Sequence, residues 1–436
     1  MDKTKVAIVG MGTVGTGVAR LLLDHGDRTA RHAGRTLWLE KVVVNNLHKQ
    51  RDIDLPDGVL TDRLEDVLNN PEIKVVAQLI GGLEPERSIM LRLLEAGKDI
   101  VTANKMLLAE HGGELFDRAR QLGRSIAFEA AVCGGIPIIA NISQCFSANE
   151  IQSIRGILNG TSNFIVTQMD EQRWSYADAL EQAQARGFAE ADPTMDVDGS
   201  DAAQKLAILA HLAFGARIHW KDIPRVGIDR LDVKDLHYAR ELGYRIKLIA
   251  VGKLTDAGLE LHVSPTLVRM GSPLAEVRGA YNALTVVGDA VGDVFFHGQG
   301  AGQMPTASAV VADMIDTAVG RTAITFRTLE LWSERESRVA VRGFDDLPGR
   351  YYLRFEVDDV PGVLSQIARV LGDHNVSIAS IIQHERHPDR NDPTVTLVIM
   401  THQAPEGAAR KAVAKIASLP VVHSGSTRMR VMEEGS

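Results

Sequence analysis

Short apolar runs alternate with segments of helical periodicity through residues 1–140. KVAIV at residues 5–9 predicts a buried strand, and the apolar spacing of VARLLLD after it predicts a helix that ends at Gly26. Further strands are predicted at residues 36–46 and in VVAQLIGG, with helices in SIMLRLLEAGK and ELFDRARQLG. Because regular alternation of strand and helix is typical of an α/β fold, we expect a doubly wound parallel sheet with helices on both faces.

The regular alternation ends after this first domain. Residues 151–215 are mainly helical in their spacing, whereas residues 245–300 contain several strand-like runs, among them KLIAVGKL and DVFFHGQGAG. Segregated helices and strands predict an α+β domain at residues 141–320. The last helix predicted in this domain, at residues 304–319, is expected to pack back on the first domain.

A third pattern begins after a turn-rich linker that we predict at residues 321–350. Residues 351–432 have the order strand, helix, strand, strand, helix, strand, with the turn DDVPG between the first strand and the first helix. This βαββαβ order predicts a compact sheet with two helices on one face, which would form a separate C-terminal domain.

Composition excludes several classes of protein. The chain has 436 residues, 45% of them hydrophobic and 24% charged, as in an ordinary globular protein of two or three domains. The net charge of -8 argues against a dedicated nucleic-acid binder, and there is no apolar run of about 20 residues to cross a membrane. Cys133 and Cys145 give no disulfide framework, and no signal-peptide pattern occurs. We therefore expect a cytoplasmic protein with neither nucleic acid nor membrane as a partner.

The sequence GMGTVG matches the pattern GxGxxG between a predicted strand and a predicted helix. In this context Gly10 permits a tight turn, Gly12 lets the backbone approach a pyrophosphate, and Gly15 lets the helix pack closely on the strand. The first N–H groups of the helix, at Thr13 and Val14, would then face the phosphates. The motif predicts a Rossmann-type domain that binds a nicotinamide dinucleotide.

The choice between NAD and NADP depends on the residues after the second predicted strand. An acidic residue there would bind the ribose 2′-OH of NAD, but this strand ends in the neutral Asn45 and Asn46. Lys49 and Arg51 follow, and they either neutralise the 2′-phosphate of NADP or form a solvated basic loop. The sequence therefore favours NADP without excluding NAD.

Five carboxylates lie close together in the stretch FAEADPTMDVDGSDAAQKLAI. A calcium-binding loop is excluded because, with Gly199 at position 6, Lys205 occupies position 12, where a bidentate glutamate is required. A helix is expected to begin near Gly199, with Asp198 or Ser200 as its cap, so that Asp201 and Lys205 lie four residues apart on one face. The residues alone favour an ordinary surface ion pair over a lysine held at the edge of a carboxylate-rich cleft.

Six blocks in this order resemble the homoserine dehydrogenase family: GMGTVG, TANK, FEAAVCGGIPII, GILNGTSNFI, GFAEADPTMDVDGSDAAQK and GQGAGQMPTA. The resemblance covers about residues 1–320. Residues 351–432, with DDVPGVLSQIARVL, resemble an ACT domain, a small amino-acid-sensing module. The resemblance implies an NAD(P)-dependent oxidoreductase that interconverts aspartate 4-semialdehyde and L-homoserine, on the route from aspartate to threonine, methionine and isoleucine.

The resemblance also implies roles for single residues. Lys205 matches the family's general acid/base, Asp201 would orient this lysine or a water molecule, and Lys105 of TANK would lie between nicotinamide and substrate. The residues expected to bind the substrate are Gly187, Glu190, Asp196 and Thr161. The cofactor-binding residues are expected to include Lys105 and Gly302 besides the glycine loop. Backbone carbonyls at Glu129, Val132, Gly134 and Ile136 are expected to bind a sodium or potassium ion.

The ACT-like tail implies regulation. Related modules bind amino acids at the loop that contains Asp359, Pro361 and Gly362, so feedback inhibition by threonine is the hypothesis, and the alternative is a structural turn without a ligand. The resemblance further implies a homodimer or a homotetramer.

Two other functions are open at this point. An aspartate-semialdehyde dehydrogenase needs a thiol nucleophile, for which Cys133 and Cys145 are the only candidates. Cys133 lies among small and apolar residues without an adjacent histidine, which favours a packing role. A non-catalytic amino-acid sensor would bind nucleotide and threonine without turnover, and the presence of both Lys105 and Lys205 argues against it.

Overall fold

The computed structural model describes residues 2–328, 337, 339–384 and 394–432. The strands are β1 (Lys3–Val9), β2 (Thr36–Val43), β3 (Leu60–Thr61), β4 (Ile73–Gln78), β5 (Asp99–Thr102), β6 (Ile126–Ala127), β7 (Ile151–Ile157), β8 (Tyr244–Thr255), β9 (Gly258–Arg269), β10 (Tyr281–Gly288), β11 (Gly292–Gln299), β12 (Pro348–Asp358), β13 (Ile378–Gln383), β14 (Thr394–Thr401), β15 (Ala404–Pro405) and β16 (Thr427–Val431). The helices are α1 (Thr13–Asp24), α2 (Gly26–Ala33), α3 (Glu65–Leu68), α4 (Glu86–Glu95), α5 (Lys105–Gln121), α6 (Ile138–Ala140), α7 (Gly160–Gln172), α8 (Tyr176–Ala185), α9 (Thr194–Val197), α10 (Ser200–Phe214), α11 (Val233–Glu241), α12 (Gln303–Ala318), α13 (Arg321–Thr328), α14 (Val363–Asp373) and α15 (Glu406–Ala417).

The chain divides into two compact units. The first is made of Met1–Ile154, Asp201–Ile223 and Tyr281–Ala340, and the second of Arg155–Ser200, Pro224–Ala280 and Val341–Ser436. Parts of the linker predicted at residues 321–350, namely residues 329–336 and 338, lie outside the described residues. No helix in the described part of the chain is both long enough and apolar enough to span a membrane.

The first unit contains a six-stranded sheet with the order β3-β2-β1-β4-β5-β6, in which every neighbouring pair is parallel. The chain proceeds outwards from β1 to one edge and then from β4 to the other, which confirms the doubly wound fold. In such sheets ligands bind at the carboxyl ends of the strands where the direction reverses, here between β1 and β4. Helix α12 packs against this sheet, since Ala307, Val310 and Met314 belong to the same buried cluster as Val6 and Ile8.

Two local features of the elements differ from the sequence-based expectations. The helix after the glycine loop ends at Asp24, and Gly26 begins the separate helix α2 instead of closing α1. The break lies at His25, whose backbone (φ -123°, ψ 23°) leaves the helical region. The expected helix-rich region also begins with a strand, β7, whose residues are mostly buried.

The second unit contains strands in the order β8-β9-β16-β12-β14-β13. Its C-terminal part has the expected βαββαβ order of β12, α14, β13, β14, α15 and β16, which confirms the predicted fold of the tail. The two helices pack on one core: Ile367 of α14 and Ala409 of α15 are fully buried with Leu353 and Phe355 of β12. Strand β16 pairs in parallel with β9 through Arg430.

A buried charged cluster joins helix α11 to strand β12 within this unit. Asp235 of α11 is fully buried, and its carboxylate accepts hydrogen bonds from Arg354 Nε at 2.6 Å and Nη2 at 3.0 Å. The Tyr352 hydroxyl donates to the same carboxylate at 3.0 Å. Burial together with Asp235 raises the pKa of Tyr352 above its ordinary value. The cluster holds the C-terminal strands against α11 by a bidentate ion pair removed from solvent.

Candidate active site

Helix α10 places Asp201 and Lys205 at buried positions. Their side chains are 6% and 11% exposed, and Lys205 Nζ donates to Asp201 Oδ2 at 2.7 Å. Asp198 accepts a hydrogen bond from the backbone N–H of Ser200, the first residue of the helix, at 2.7 Å. All residues from 201 to 210 are buried, so the pair is not a solvated surface ion pair. A desolvated lysine fixed by one carboxylate is a geometry that suits proton transfer to a bound reactant.

Lys105 joins this pair from a distant part of the chain. It is the first residue of α5, and its Nζ lies 2.9 Å from Asp201 Oδ1. Each oxygen of the Asp201 carboxylate therefore contacts one ammonium group. Two ammonium groups and one carboxylate leave a formal charge of +1, which favours the approach of negative charge. The Lys105 side chain is 38% exposed, so it is accessible to a ligand.

Cys133 lies within electrostatic range of this cluster but is not arranged as a nucleophile. The thiol is buried, and its Sγ accepts a hydrogen bond from Asn282 Nδ2 at 3.3 Å. Burial raises the pKa of the Cys133 thiol. The positive charge of Lys205 lowers this pKa, but by less than burial raises it. A buried thiol with a raised pKa is a poor nucleophile, which argues against Cys133 as the nucleophile of an aspartate-semialdehyde dehydrogenase.

The glycine loop has the backbone geometry that a dinucleotide requires. Gly10 has φ +97°, in the left-handed region, and a Cβ on Gly15 would lie 2.1 Å from the carbonyl oxygen of Gly10. A Cβ on Gly12, by contrast, would meet no heavy atom within 4 Å, which leaves open space above the loop. Gly12 precedes α1 without a side-chain cap, so the first N–H groups of α1, at Thr13 and Val14, face the space that a pyrophosphate would occupy.

Gly302 lies beside this loop. It has φ +123° and precedes α12, whose Gln303 Nε2 donates to the carbonyl oxygen of Thr13 at 3.1 Å. A Cβ on Gly17 of α1 would lie 2.9 Å from Cβ of Ala307, so α12 packs directly on the helix that follows the glycine loop. The structure therefore brings the predicted cofactor residue Gly302 to the same edge of the sheet as the loop.

The basic loop after β2 is organised by Arg51. Its guanidinium donates to the carbonyl oxygens of Asn46 at 2.6 Å and Lys49 at 2.8 Å. These contacts leave the Arg51 side chain partly buried, whereas Lys49 is exposed. Lys49 is thus the more accessible cation at the position where the adenosine ribose is expected.

The predicted substrate residues lie in the second unit, where the start of α7 holds the segment from residue 187 to 198. Thr161 Oγ1 donates to the Phe188 carbonyl at 2.6 Å. Ser162 Oγ donates to the Asp196 carbonyl at 2.7 Å, and Asn159 Nδ2 donates to Asp196 Oδ1 at 2.8 Å. Sequence reasoning missed Asn159 and Ser162, although both belong to the block GILNGTSNFI.

The other two predicted substrate residues are accessible. Gly187 has φ +73°, with no heavy atom within 4 Å of a Cβ built on it. Glu190 is exposed, and its carbonyl oxygen accepts a hydrogen bond from Gln184 Nε2 at 3.1 Å. The carboxylate of Glu190 is therefore exposed to solvent on a segment whose two ends are fixed by α7.

A buried lysine supports the start of α7 from the neighbouring strand. Lys247 of β8 is 3% exposed, and its Nζ donates to Asn163 Oδ1 at 3.1 Å and to the Val277 carbonyl at 2.5 Å. Burial, together with the nearby Arg245, lowers the pKa of Lys247 from 10.5 to about 8. The fold therefore favours the neutral amine at this position.

The buried Lys247 predicts a specific pH dependence of stability. Between pH 10.5 and about 8 the unfolded chain binds a proton at this residue while the folded chain does not, so the free energy of unfolding falls as the pH falls through this window and levels off below it. The shift corresponds to about 3 kcal/mol. In urea unfolding at pH 8 and pH 10, Lys247→Met is expected to lack this component, and the exposed Lys411→Met to retain it. Equal pH dependence in all three proteins would contradict the assignment.

The loop that contains the expected cation ligands has free carbonyl groups. Among the residues that the structure describes, no hydrogen bond reaches the carbonyl oxygens of Val132 or Gly134. The carbonyl of Glu129 accepts from Val132 N at 3.4 Å, and that of Ile136 accepts from Ile138 N at 2.8 Å, which leaves each a second lone pair. Burial raises the pKa of the nearby Glu129 carboxyl to about 7. Neutral carbonyl ligands fit a hard ion of low charge.

Comparison with known proteins decides the family. The chain is 41% identical to the homoserine dehydrogenase of Pseudomonas aeruginosa, over 99% of this chain and 99% of that protein. The chain belongs to the homoserine dehydrogenase family. The family models agree: homoserine dehydrogenase matches residues 137–315, its NAD-binding domain matches residues 10–129, and the ACT domain matches residues 351–418.

Other members of the homoserine dehydrogenase family match over the full length. The Bacillus subtilis enzyme is 37% identical and aligns over 100% of both chains. A crystal structure of a homoserine dehydrogenase from Thiobacillus denitrificans superposes with a TM-score of 0.91 at 40% identity, and it covers 99% of each chain. The chain is therefore an NAD(P)-dependent oxidoreductase with a C-terminal ACT domain, and neither a thiol-dependent semialdehyde dehydrogenase nor a non-catalytic sensor.

Proposed function

We propose that this homoserine dehydrogenase interconverts aspartate 4-semialdehyde and L-homoserine with Lys205 as the general acid/base. The observation that carries the proposal is the buried Asp201 carboxylate, which contacts Lys205 at 2.7 Å and Lys105 at 2.9 Å. A carbonyl oxygen that gains a hydride becomes an alkoxide, and an ammonium group fixed next to it stabilises that charge and supplies the proton.

Each member of the cluster has a separate role in the proposal. A bound nicotinamide cofactor supplies or accepts the hydride. Lys205 donates a proton to the substrate oxygen during reduction and accepts it during oxidation. Asp201 holds the Lys205 ammonium in place through its Oδ2 atom and fixes Lys105 through its Oδ1 atom. Lys105, with the more exposed side chain, binds the substrate carboxylate or assists at the oxygen.

The polar end of the substrate is assigned to the segment from residue 187 to 198. Glu190, whose carboxylate is exposed, is a natural partner for the substrate ammonium. Gly187 would contact the substrate through its backbone, which has no side chain of its own to cover it. The hydrogen bonds of Thr161 and Asp196 fix this segment, and these two residues are the last of the four proposed to bind the substrate. A monovalent cation held by the carbonyls of Glu129, Val132, Gly134 and Ile136 would stabilise the loop that carries Cys133.

NADP is the proposed preferred cofactor. Asn45 and Asn46 offer no carboxylate to the ribose 2′-OH, and Lys49 is exposed on a loop that Arg51 shapes. We assign the 2′-phosphate contact to Lys49 and the loop-forming role to Arg51.

The activity is tested by following the oxidation of NADPH and of NADH in the presence of aspartate 4-semialdehyde. The expected result is turnover with both or with NADPH alone, and a higher kcat/KM for NADPH. If neither cofactor is oxidised when the semialdehyde is added, the proposed reaction is wrong. If NADH has the higher kcat/KM, the proposed preference for NADP and the assignment of Lys49 are wrong, while the proposed reaction stands.

Regulation by threonine at the ACT domain is the second part of the proposal, together with assembly into a homodimer or homotetramer. The loop between β12 and α14 contains the exposed Asp359 and Gly362, which has φ +93° and open space around it. We expect millimolar L-threonine to inhibit the wild type, and Asp359→Ala to raise the inhibitory concentration by about tenfold without changing kcat. Asp345→Ala is the control, since that carboxylate lies outside the loop. Equal inhibition of all three proteins, or none of the wild type, would rule the site out.

A further inference from the structure

We infer that Asn104 is a positioning residue that couples the cofactor-binding loop to Lys105. This inference rests on the proposed function, since it concerns how the reactive cluster is held relative to the glycine loop. All the residues involved belong to the first unit.

The side-chain amide of Asn104 makes three hydrogen bonds, which use both of its N–H donors and its oxygen. Its Oδ1 accepts from the backbone N–H of Leu107 at 3.1 Å, which caps α5 one residue before Lys105. Its Nδ2 donates to the carbonyl oxygens of Ile80 at 3.1 Å and Gly82 at 2.8 Å. Asn104 is 7% exposed, so these bonds do not compete with solvent. The partners also fix which end of the amide is nitrogen, because carbonyl oxygens only accept and an N–H only donates.

The loop that Asn104 holds is the one that packs against the glycine motif. Leu79 N donates to the Val9 carbonyl at 2.8 Å, and a Cβ on Gly10 would lie 2.7 Å from Ile80 Cγ1. Ile80 therefore sets the position of the turn at Gly10, while its carbonyl is bound to Asn104. One side chain thus fixes both the backbone beside the cofactor loop and the first turn of the helix that presents Lys105.

The backbone of Asn104 is held by a second chain of buried groups. Asn104 N donates to Thr102 Oγ1 at 3.1 Å, and the Thr102 hydroxyl donates to Gln78 Oε1 at 3.2 Å. Thr102 and Gln78 are fully buried at the carboxyl ends of β5 and β4. The carboxyl ends of β5 and β4 therefore fix the backbone of Asn104, which limits the movement of Lys105 relative to the sheet.

Helix capping alone would explain only one of the three hydrogen bonds of the Asn104 side chain, the one from the Leu107 N–H. Serine at this position keeps an acceptor for the Leu107 N–H and ranks with asparagine as an N-cap, but its side chain is too short to reach the carbonyls of Ile80 and Gly82. Asn104→Ser therefore separates capping from coupling. The matched control is Ser175→Ala, which removes the exposed N-cap of α8, where Ser175 Oγ accepts from Asp178 N at 3.2 Å.

Two quantities are measured for the full-length protein: the Kd for NADPH by fluorescence titration, and kcat for the reduction of aspartate 4-semialdehyde. For Asn104→Ser we expect a Kd about 5- to 50-fold higher and a kcat about 10- to 100-fold lower than the wild type. For Ser175→Ala we expect a lowered Tm with Kd and kcat within about twofold of the wild type.

The outcomes separate the inference from the proposed function. If Asn104→Ser changes only Tm, or changes only one of Kd and kcat, the coupling is refuted. If Asn104→Ser does not fold, Thr102→Val decides by the same two readouts, because it removes the acceptor for Asn104 N without changing the side-chain shape. If the wild type binds NADPH but does not reduce the semialdehyde, the proposed function fails, and the inference fails with it.

Discussion

Replacing Lys205 by alanine is expected to lower kcat for the reduction of aspartate 4-semialdehyde by about 10²–10⁴-fold, the usual contribution of a positioned proton donor. The KM for the cofactor should change little, because the proposed role of Lys205 is at the substrate oxygen, where Asp201 holds its ammonium group. Loss of the ammonium leaves the developing alkoxide without its proton, while the Lys105–Asp201 contact at 2.9 Å remains. Steady-state rates with NADPH measure the effect.

Two variants make this result specific. Lys205→Arg keeps the charge, but a guanidinium does not release its proton at neutral pH, so kcat is expected to stay low. Lys234→Ala removes another lysine from an ion pair, with Glu356 at 2.9 Å, at a site where the lysine side chain is 48% exposed. That control should retain the wild-type rate. A Lys205→Ala protein with a kcat within about threefold of the wild type would exclude the general acid/base role.

The largest stability effect is expected for Arg354→Met. Asp235 is fully buried, and removal of its bidentate partner leaves the carboxylate without a compensating positive charge, which costs about 3–5 kcal/mol of unfolding free energy. The unfolding midpoint in urea, followed by circular dichroism, should fall accordingly. The comparison is Arg410→Met, whose partner Asp345 and own side chain are both 54% exposed, so that a loss of about 0.2–1 kcal/mol is expected. If the free energy of unfolding falls by the same small amount in both variants, the Asp235 cluster does not stabilise the C-terminal strands.

The parts of the fold that sequence could predict are those in which local pattern and local backbone agree. The glycine loop was predictable because a left-handed Gly10 and a close approach at Gly15 exclude other side chains. Strand β7 was not, since Ile151, Ile154 and Ile157 are three residues apart and fit a helix as well as a partly buried strand. Periodicity over such a short segment does not separate the two.

The candidate site shows the same limit. Asp201 and Lys205 were paired correctly from their spacing of four, which is a local property of a helix. The contact between Lys105 and Asp201 depends on how α5 and α10 pack, and no sequence pattern encodes that distance. The hydrogen bonds from Asn104 to the carbonyls of Ile80 and Gly82 have no signature either, because they join residues 24 and 22 positions apart in the chain. The free carbonyls of Val132 and Gly134 have none because they are backbone atoms, which every residue has.

The central claim is that the Lys205 ammonium meets the substrate oxygen. The most direct measurement is a crystal structure of the protein with NADP and L-homoserine bound. The account predicts Lys205 Nζ within about 3 Å of the homoserine hydroxyl oxygen, with the Asp201 contact retained. A complex in which Nζ points away from the hydroxyl, with another side chain or only solvent next to that oxygen, would contradict it.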